Sequence, residues 1–374
     1  MHNNYISRTM MSTVFDESNK SGLKQEDFKA TVQGKETDLY ILKNPLGMEV
    51  AVTNYGCAVL SIMVPDKQGE YANVVQSHDS IQHVINSPEP FLGTTIGRYG
   101  NRISKGHFIL GLEDYQLHLT QGAYTLHGGP AGFHTRVWDV VDANESKIIF
   151  RYVSLDGEEG FPGTLTIDMM YEVADSHNGL YITYKATTDK DTVINLTNHG
   201  FFNLRGIGNP TSSILDHIVT INADYYLPID KDSIPTGEIL KVEGTPMDFR
   251  TPHTVGERIN DPFEQLKNGT GYDHCYVLNK NEIEEFAEAA TCTDPVSGRR
   301  MTVFTTEPGV QLYTGNWLNG FEGAHGATFP ARSAICFEAQ HFPDSPNRPY
   351  FPSTRLKPKE TYHQTTAYVF DVVD

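Results

Sequence analysis

Cysteine is scarce in this chain. Only four occur in 374 residues, Cys57, Cys275, Cys292 and Cys336, and no two of them form a C-x-x-C pair. That spacing suggests neither a zinc site nor a disulfide scaffold, and reduced core thiols in a cytoplasmic protein are the expectation. Positive charge is scarce as well. Lys and Arg number 29 against 47 Asp and Glu, a formal balance of −18, and the longest basic run is Arg299-Arg300. Such a chain repels phosphate backbones and anionic lipid, so nucleic acid is not an expected partner. No stretch is apolar enough to span a bilayer, and Met1 to Phe15 lacks the apolar core of a signal peptide, so no membrane role is expected. Also missing are a phosphate loop, a dinucleotide fingerprint and a Gly-x-Ser-x-Gly elbow.

What the chain has is turns and aromatics: 32 Gly, 20 Pro, 19 Tyr and 19 Phe. Residues 1–24 are polar and aperiodic, and read as a flexible N-terminal extension. From there strand signals follow closely. Leu39 to Leu42, Met48 to Asn54 and Ala58 to Val64 come first, then a helical turn at Asp79 to Ile85 blocked by Pro88 and Pro90. Phe108 to Leu110 with Tyr115 to Leu119 reads as a hairpin, and so do Val137 to Asp142 with Lys147 to Ser154. The clearest period-2 segment is Leu165, Ile167, Met169, Tyr171, Val173, with Leu180 to Ala186 as its partner. Val193 to Leu196, Ile218 to Ile221, Cys275 to Leu278, Met301 to Thr306, Val310 to Tyr313 and Thr365 to Val372 continue the series. Glu282 to Ala290 has helical composition. The strand-like Met301 to Thr306 needs a partner, however, so Phe286 to Thr293 reads as a strand. Strands in succession with few helices predict one all-β domain over residues 25–374, a sandwich or barrel.

The chemistry centres on A-I-C-F-E-A-Q-H-F-P-D, Ala334 to Asp344. Glu338 sits there among apolar neighbours, where poor solvation raises a carboxyl pKa towards the range useful for proton transfer. The competing reading is a Glu on a solvated strand face. Four other stretches place polar groups among glycines or aromatics. Gly97 to Ile103 supplies Asn101 and two arginines, one of them Arg102. Leu126 to Pro130 supplies His127. Asn195 to Leu204 holds His199 between a strand and an aromatic pair, as a general acid or as a satisfied core histidine. Gly271 to His274 supplies Asp273, a sugar-hydroxyl acceptor or a turn cap. Gln311 is a weaker candidate on the strand after Pro308-Gly309. One base, one acid and several hydrogen-bonders suit a polyhydroxylated ligand. They do not suit a metal, because the histidines lack ligand spacing in the sequence.

These stretches in this order resemble the aldose 1-epimerases (mutarotases). The match includes G-R-Y-G-N-R-I, L-H-G-G-P-A-G-F, D-G-E-E-G-F-P-G, N-L-T-N-H-G-F-F-N-L, I-P-T-G-E, G-Y-D-H-C-Y-V-L, P-G-V-Q-L-Y-T-G-N and F-E-A-Q-H-F-P-D-S-P-N, then F-P-S-T. The resemblance runs from about Leu39 to the C-terminus. It implies a large β-sandwich, or supersandwich, with an open sugar cleft. It also implies interconversion of the α and β anomers of free aldohexoses such as galactose and glucose, with no cofactor and no metal. Glu338 then resembles the catalytic base and His199 the catalytic acid, the two meeting across a bound pyranose. Asn101, Arg102, His127, Asp273 and Gln311 match the substrate-binding positions. Gly200-Phe201 stands where Ser-Tyr is common, Cys275 where Asn is usual and Ala339 where Thr is usual. A monomer or weak dimer acting on a small-molecule aldohexose is the expectation. The alternatives are a hexose-6-phosphate epimerase, a non-catalytic sugar-binding module and a glycosidase, which would need a second carboxylate such as Asp273.

Overall fold

The computed structural model describes residues 19–120 and 122–374. Strands dominate, and the paired strands of its sheets run antiparallel. The largest sheet has nine strands, with Leu165–Val173, Asn178–Thr188 and Tyr362–Val372 adjacent near its middle. Leu165, Ile167, Met169, Tyr171 and Val173 alternate inward and are all buried, as the period-2 pattern predicts. Removing each such side chain from water contributes about 1.5–3 kcal/mol. A five-stranded sheet runs in the order Leu240–Lys241, Tyr225–Tyr226, Asp273–Val277, Gly309–Tyr313, Cys336–Gln340.

The two sheets are joined face to face by side chains of Tyr362–Val372. Tyr368 Oη donates to the Phe337 carbonyl at 2.8 Å, and Gln364 Nε2 donates to the Ala339 carbonyl at 3.2 Å. A four-stranded sheet over residues 39–73 completes the layers, and one apolar cluster draws on all three sheets. The fold is therefore the all-β sandwich expected.

Local differences from the sequence reading have local causes. The hairpin near residue 110 pairs His107–Leu110 with Glu113–Gln116, because Gly111 at φ +67° turns the chain at once. Leu117 then leaves the sheet for a small cluster with Tyr99 and Ile103. Val193 to Leu196 is no continuous strand. Thr192–Val193 pairs with Arg355–Leu356, and Thr197–Asn198 pairs with Thr95–Ile96. Between them the Asn195 side chain bonds both backbone groups of His341. The strand expected over Phe286 to Thr293 is found at Ala287–Thr293. Of the extension expected over residues 1–24, residues 1–18 lie outside those described. Lys20 and Ser21 donate their backbone N–H groups to the Glu49 carboxylate, and Leu23 is buried. Among the described residues no helix is long and apolar enough to cross a membrane.

Candidate active site

The five-stranded sheet sets out one half of the site by register alone. Gln311 lies opposite Glu338 on one side and Cys275 on the other. Cross-strand partners share a face, and so do residues two apart, so Asp273, Gln311 and Glu338 all point to the same side. The other face of these strands carries Tyr276, Val310, Leu312 and Phe337 into the core. That is why a carboxyl survives inside an apolar run: its neighbours pack into the core, while it is buried in the wall of the cleft on the opposite face.

Loops from elsewhere in the chain supply the other half. His199 follows Thr197–Asn198, and its backbone is held on both sides, N–H to the Thr94 carbonyl and C=O from the Gly93 N–H. His127 and Asn101 fix each other. The His127 N–H donates to the Asn101 carbonyl, and the Asn101 N–H donates to His127 Nδ1, both at 3.0 Å. Arg102 lies with its guanidinium over the Tyr124 ring, 5.0 Å from the centroid. Asp344 steadies that segment, its N–H bonded to the Arg102 carbonyl and its carboxylate to the Ser104 N–H. The other arginine of the stretch has a different task. Arg98 is buried and donates to the carbonyls of Ser154, Pro162 and Gly163, so the D-G-E-E-G-F-P-G segment is its socket.

These groups line one cleft of about 880 Å³, shared by Asn101, Arg102, His127, His199, Asp273 and Glu338. Gln311 stands just behind, its Nε2 donating to Asp273 Oδ1 at 2.7 Å. Glu338 Oε1 and His199 Nε2 are 3.6 Å apart. They stand side by side, closer than a pyranose laid between them would allow, and this corrects the expectation that they face each other across the sugar. Glu338 Oε2 and His199 Nδ1 are buried with no protein partner. Unpaired buried polar atoms in a cleft are groups that a ligand can satisfy.

Burial lifts the Glu338 carboxyl well above the ordinary carboxylate range, with the charges of Asp273 and Glu89 adding to it and that of Arg102 opposing. Burial pushes the His199 imidazole down to about 3. Both shifts have burial as their main cause, because a desolvated site disfavours the charged form of either group. Asp273 is also raised by burial, against the pull of Arg102 and the Gln311 hydrogen bond.

His127, His199 and Glu338 bring ligand atoms within 4.8 Å of one another, so the dispersal of the histidines in the sequence does not hold in space. The chemistry of the trio fits hydrogen bonding better than a metal. His127 Nδ1 accepts from the Asn101 N–H, which leaves the ring proton on Nε2, a donor and not a free lone pair.

The aldose 1-epimerase family matches residues 38–369. This chain belongs to that family. It is 40% identical over 326 residues to the galactose mutarotase of Mus musculus, covering 87% of this chain and 92% of the relative. It is 34% identical over 340 residues to the aldose 1-epimerase of Escherichia coli (strain K12), covering 90% and 96%. The crystal structure of a galactose 1-epimerase from Lactobacillus acidophilus NCFM superposes with a TM-score of 0.80 at 30% identity, over 92% of this chain and 97% of that one.

For a member of this family, the residues after His199 have a local explanation. The Phe201 ring stacks on the imidazole, centroids 4.7 Å apart and planes within 9°. A Cβ at Gly200 would lie 2.6 Å from the Phe202 ring, so this glycine and that ring go together. Cys275 neighbours Gln311 in register, and burial pushes its thiol up to about 12, so it acts there as a neutral filler. Among the cleft residues that escaped the sequence reading are Glu89 and Phe91. Phe91 runs parallel to His199, centroids 6.0 Å apart, and edge-on to His127 at 4.6 Å. The flanking prolines read only as helix blockers. Nothing periodic marks a loop residue that turns into a cleft.

Proposed function

We propose that this chain interconverts the α and β anomers of free aldohexoses, galactose among them, by acid–base opening and reclosure of the ring. The observation that carries the reading is the Glu338–His199 pair at 3.6 Å, each with an unpaired buried atom, on the wall of a cleft with hydrogen-bonders around it. The two oxygens that exchange protons in the reaction, the C1 hydroxyl and the ring oxygen, are bonded to the same carbon. Side-by-side groups suit that geometry, because both can reach one anomeric centre from one side. Glu338 takes the C1 hydroxyl proton while His199 delivers one to the ring oxygen. The C1–O5 bond breaks to give the aldehyde, the C1–C2 bond rotates, and the ring closes on the other face with the roles exchanged. Reversibility requires each group to act in both senses, and two titratable groups in contact can exchange the roles of acid and base.

Arg102, Asn101, the His127 Nε2–H and the Asp273 carboxyl hold the hydroxyls, and Gln311 orients Asp273. Arg102 also counters charge developing on Glu338 when the proton leaves. The four buried free thiols fit work in the reducing cytoplasm. Polarimetry on freshly dissolved α-galactose and α-glucose tests the reading. The purified protein should speed the approach to the equilibrium rotation far beyond the buffer rate. Binding of sugar with the rate left at background would overturn it in favour of a non-catalytic sugar-binding module.

A further inference from the structure

Among the described residues four carboxyl residues line the cleft: the mechanism uses Glu338 and Asp273, and Asp232 is exposed to solvent. The remaining one is Glu89, in Ser87-Pro88-Glu89-Pro90-Phe91. The segment is folded on itself. The Ser87 hydroxyl donates to the Glu89 carbonyl at 2.7 Å and accepts the Glu89 N–H at 3.2 Å. The Glu89 Oε1 atom accepts the Phe91 N–H at 3.3 Å, a long bond. No cation forms an ion pair with Glu89 among the described residues, although Arg102 lines the same cleft. Its charge is felt at Glu338, Tyr313 and Cys336, so it lies within electrostatic reach of the reacting pair.

A half-buried carboxyl with one weak protein bond has acceptor capacity left over. A partly desolvated carboxyl is costly unless something donates to it. Burial also lifts its pKa to about 7. Among the other charged groups lining the cleft, Lys231, Asp232 and Lys267 are exposed, Asp273 is bonded to Gln311, Glu338 neighbours His199 and Arg102 lies over the Tyr124 face. An aldose brings several hydroxyl donors, and the acid–base pair takes only the anomeric one.

We propose that Glu89 is a specificity-determining residue, whose carboxyl accepts a hydrogen bond from one non-anomeric hydroxyl of the bound aldose. This rests on the epimerase reading and deepens it. The competing role is structural, with Glu89 doing no more than holding Phe91 against His199 and His127.

The experiment measures kcat and KM by polarimetry for galactose and for the series of monodeoxy galactoses that lack each non-anomeric hydroxyl in turn. The enzymes are the wild type, Glu89→Gln and Glu89→Ala. With the wild type, one analogue should lose about tenfold to a hundredfold in kcat/KM through the missing bond to Glu89. In Glu89→Ala, galactose itself should drop by a similar factor, mostly in KM, and that one analogue should lose nothing further. Glu89→Gln keeps the shape and the acceptor for the Phe91 N–H. It should still show a raised KM for galactose with the same analogue spared. If both variants rank the whole series as the wild type does, no hydroxyl meets Glu89 and the proposal is overturned. Should Glu89→Ala fail to fold, the Gln variant decides alone. Background rates for the folded wild type on every sugar would overturn the epimerase reading, and the proposal with it.

Discussion

Glu338 is legible in the sequence because it breaks an apolar pattern, and the structure gives the reason: alternate residues of its strand enter the core while it faces the cleft beside Gln311. The imidazole of His199 is legible for the same kind of reason, a titratable group between a strand and two aromatics. What one strand cannot reveal is distance, and so their side-by-side placement was out of reach. Glu89 shows the opposite case. Pro88 and Pro90 hide it in a loop, where only the folded chain shows which way it points. At this scale Glu338→Gln is the sharpest test of the proposed roles. Gln keeps the volume and removes the proton exchange, so kcat should fall by about 10²–10⁴-fold. Stability should hold or rise, because a buried carboxyl with a raised pKa is replaced by a neutral amide. Urea denaturation and polarimetry on the same preparation check both halves. A near-normal kcat would remove Glu338 from the mechanism.

The strands with clean alternation were readable, and Leu165–Val173 and Ala287–Thr293 are the plainest cases. The two-residue pairs that place His199 were not. Their partners lie far off in sequence, and nothing periodic marks them. Loops that carry the site depend instead on backbone conformation. Both His127 and Gly128 have positive φ, +51° and +83°, and a Cβ on Gly128 would sit 2.0 Å from the Gly97 carbonyl oxygen. The loop therefore packs backbone on backbone, and that contact fixes where the His127 ring points. For Gly128→Ala the left-handed conformation alone should cost about 1–3 kcal/mol. The clash adds to that and shifts His127, so KM should rise as well. Gly111→Ala is the control. Gly111 is also left-handed, at φ +67°, but nothing lies within 4 Å of its Cβ position. It should show the conformational cost with KM unchanged. Equal KM values for the two variants would mean that the Gly128 contact does not set the His127 position.

Across the whole molecule, the two large sheets are tied behind the site by a titrating pair. Glu307 follows the Arg299–Thr305 strand of the nine-stranded sheet, and His341 follows Cys336–Gln340 of the five-stranded one. The His341 Nδ1 atom lies 2.6 Å from the Glu307 carboxylate. Burial pulls the His341 pKa down, but the Glu307 charge and hydrogen bond outweigh it and hold it above the ordinary 6.5. Other buried histidines shift the opposite way, His199 and His274 to about 3, His78 and His134 to about 4. They favour folding as pH rises from those values, and the gain is complete once the unfolded chain is deprotonated, above about pH 6.5. Above that point they no longer contribute to the slope. Folded His341 still holds its proton there, so the native state binds more protons than the unfolded chain. Stability from this pair is fully present below the unfolded pKa and is lost as pH rises through the raised folded value. Glu338, raised too, adds to the same downward slope, so the pair must be isolated by difference. His341→Gln keeps a donor for Glu307 but cannot titrate. Near about pH 6 it should be less stable than the wild type by about 1–3 kcal/mol, the worth of a charge-assisted bond. The gap should narrow as pH rises through the raised folded value and the wild-type imidazole gives up its proton. Urea unfolding of both proteins across that range measures it. A gap that stays constant would mean that no proton is held at His341, and that the sheets are joined there by packing alone.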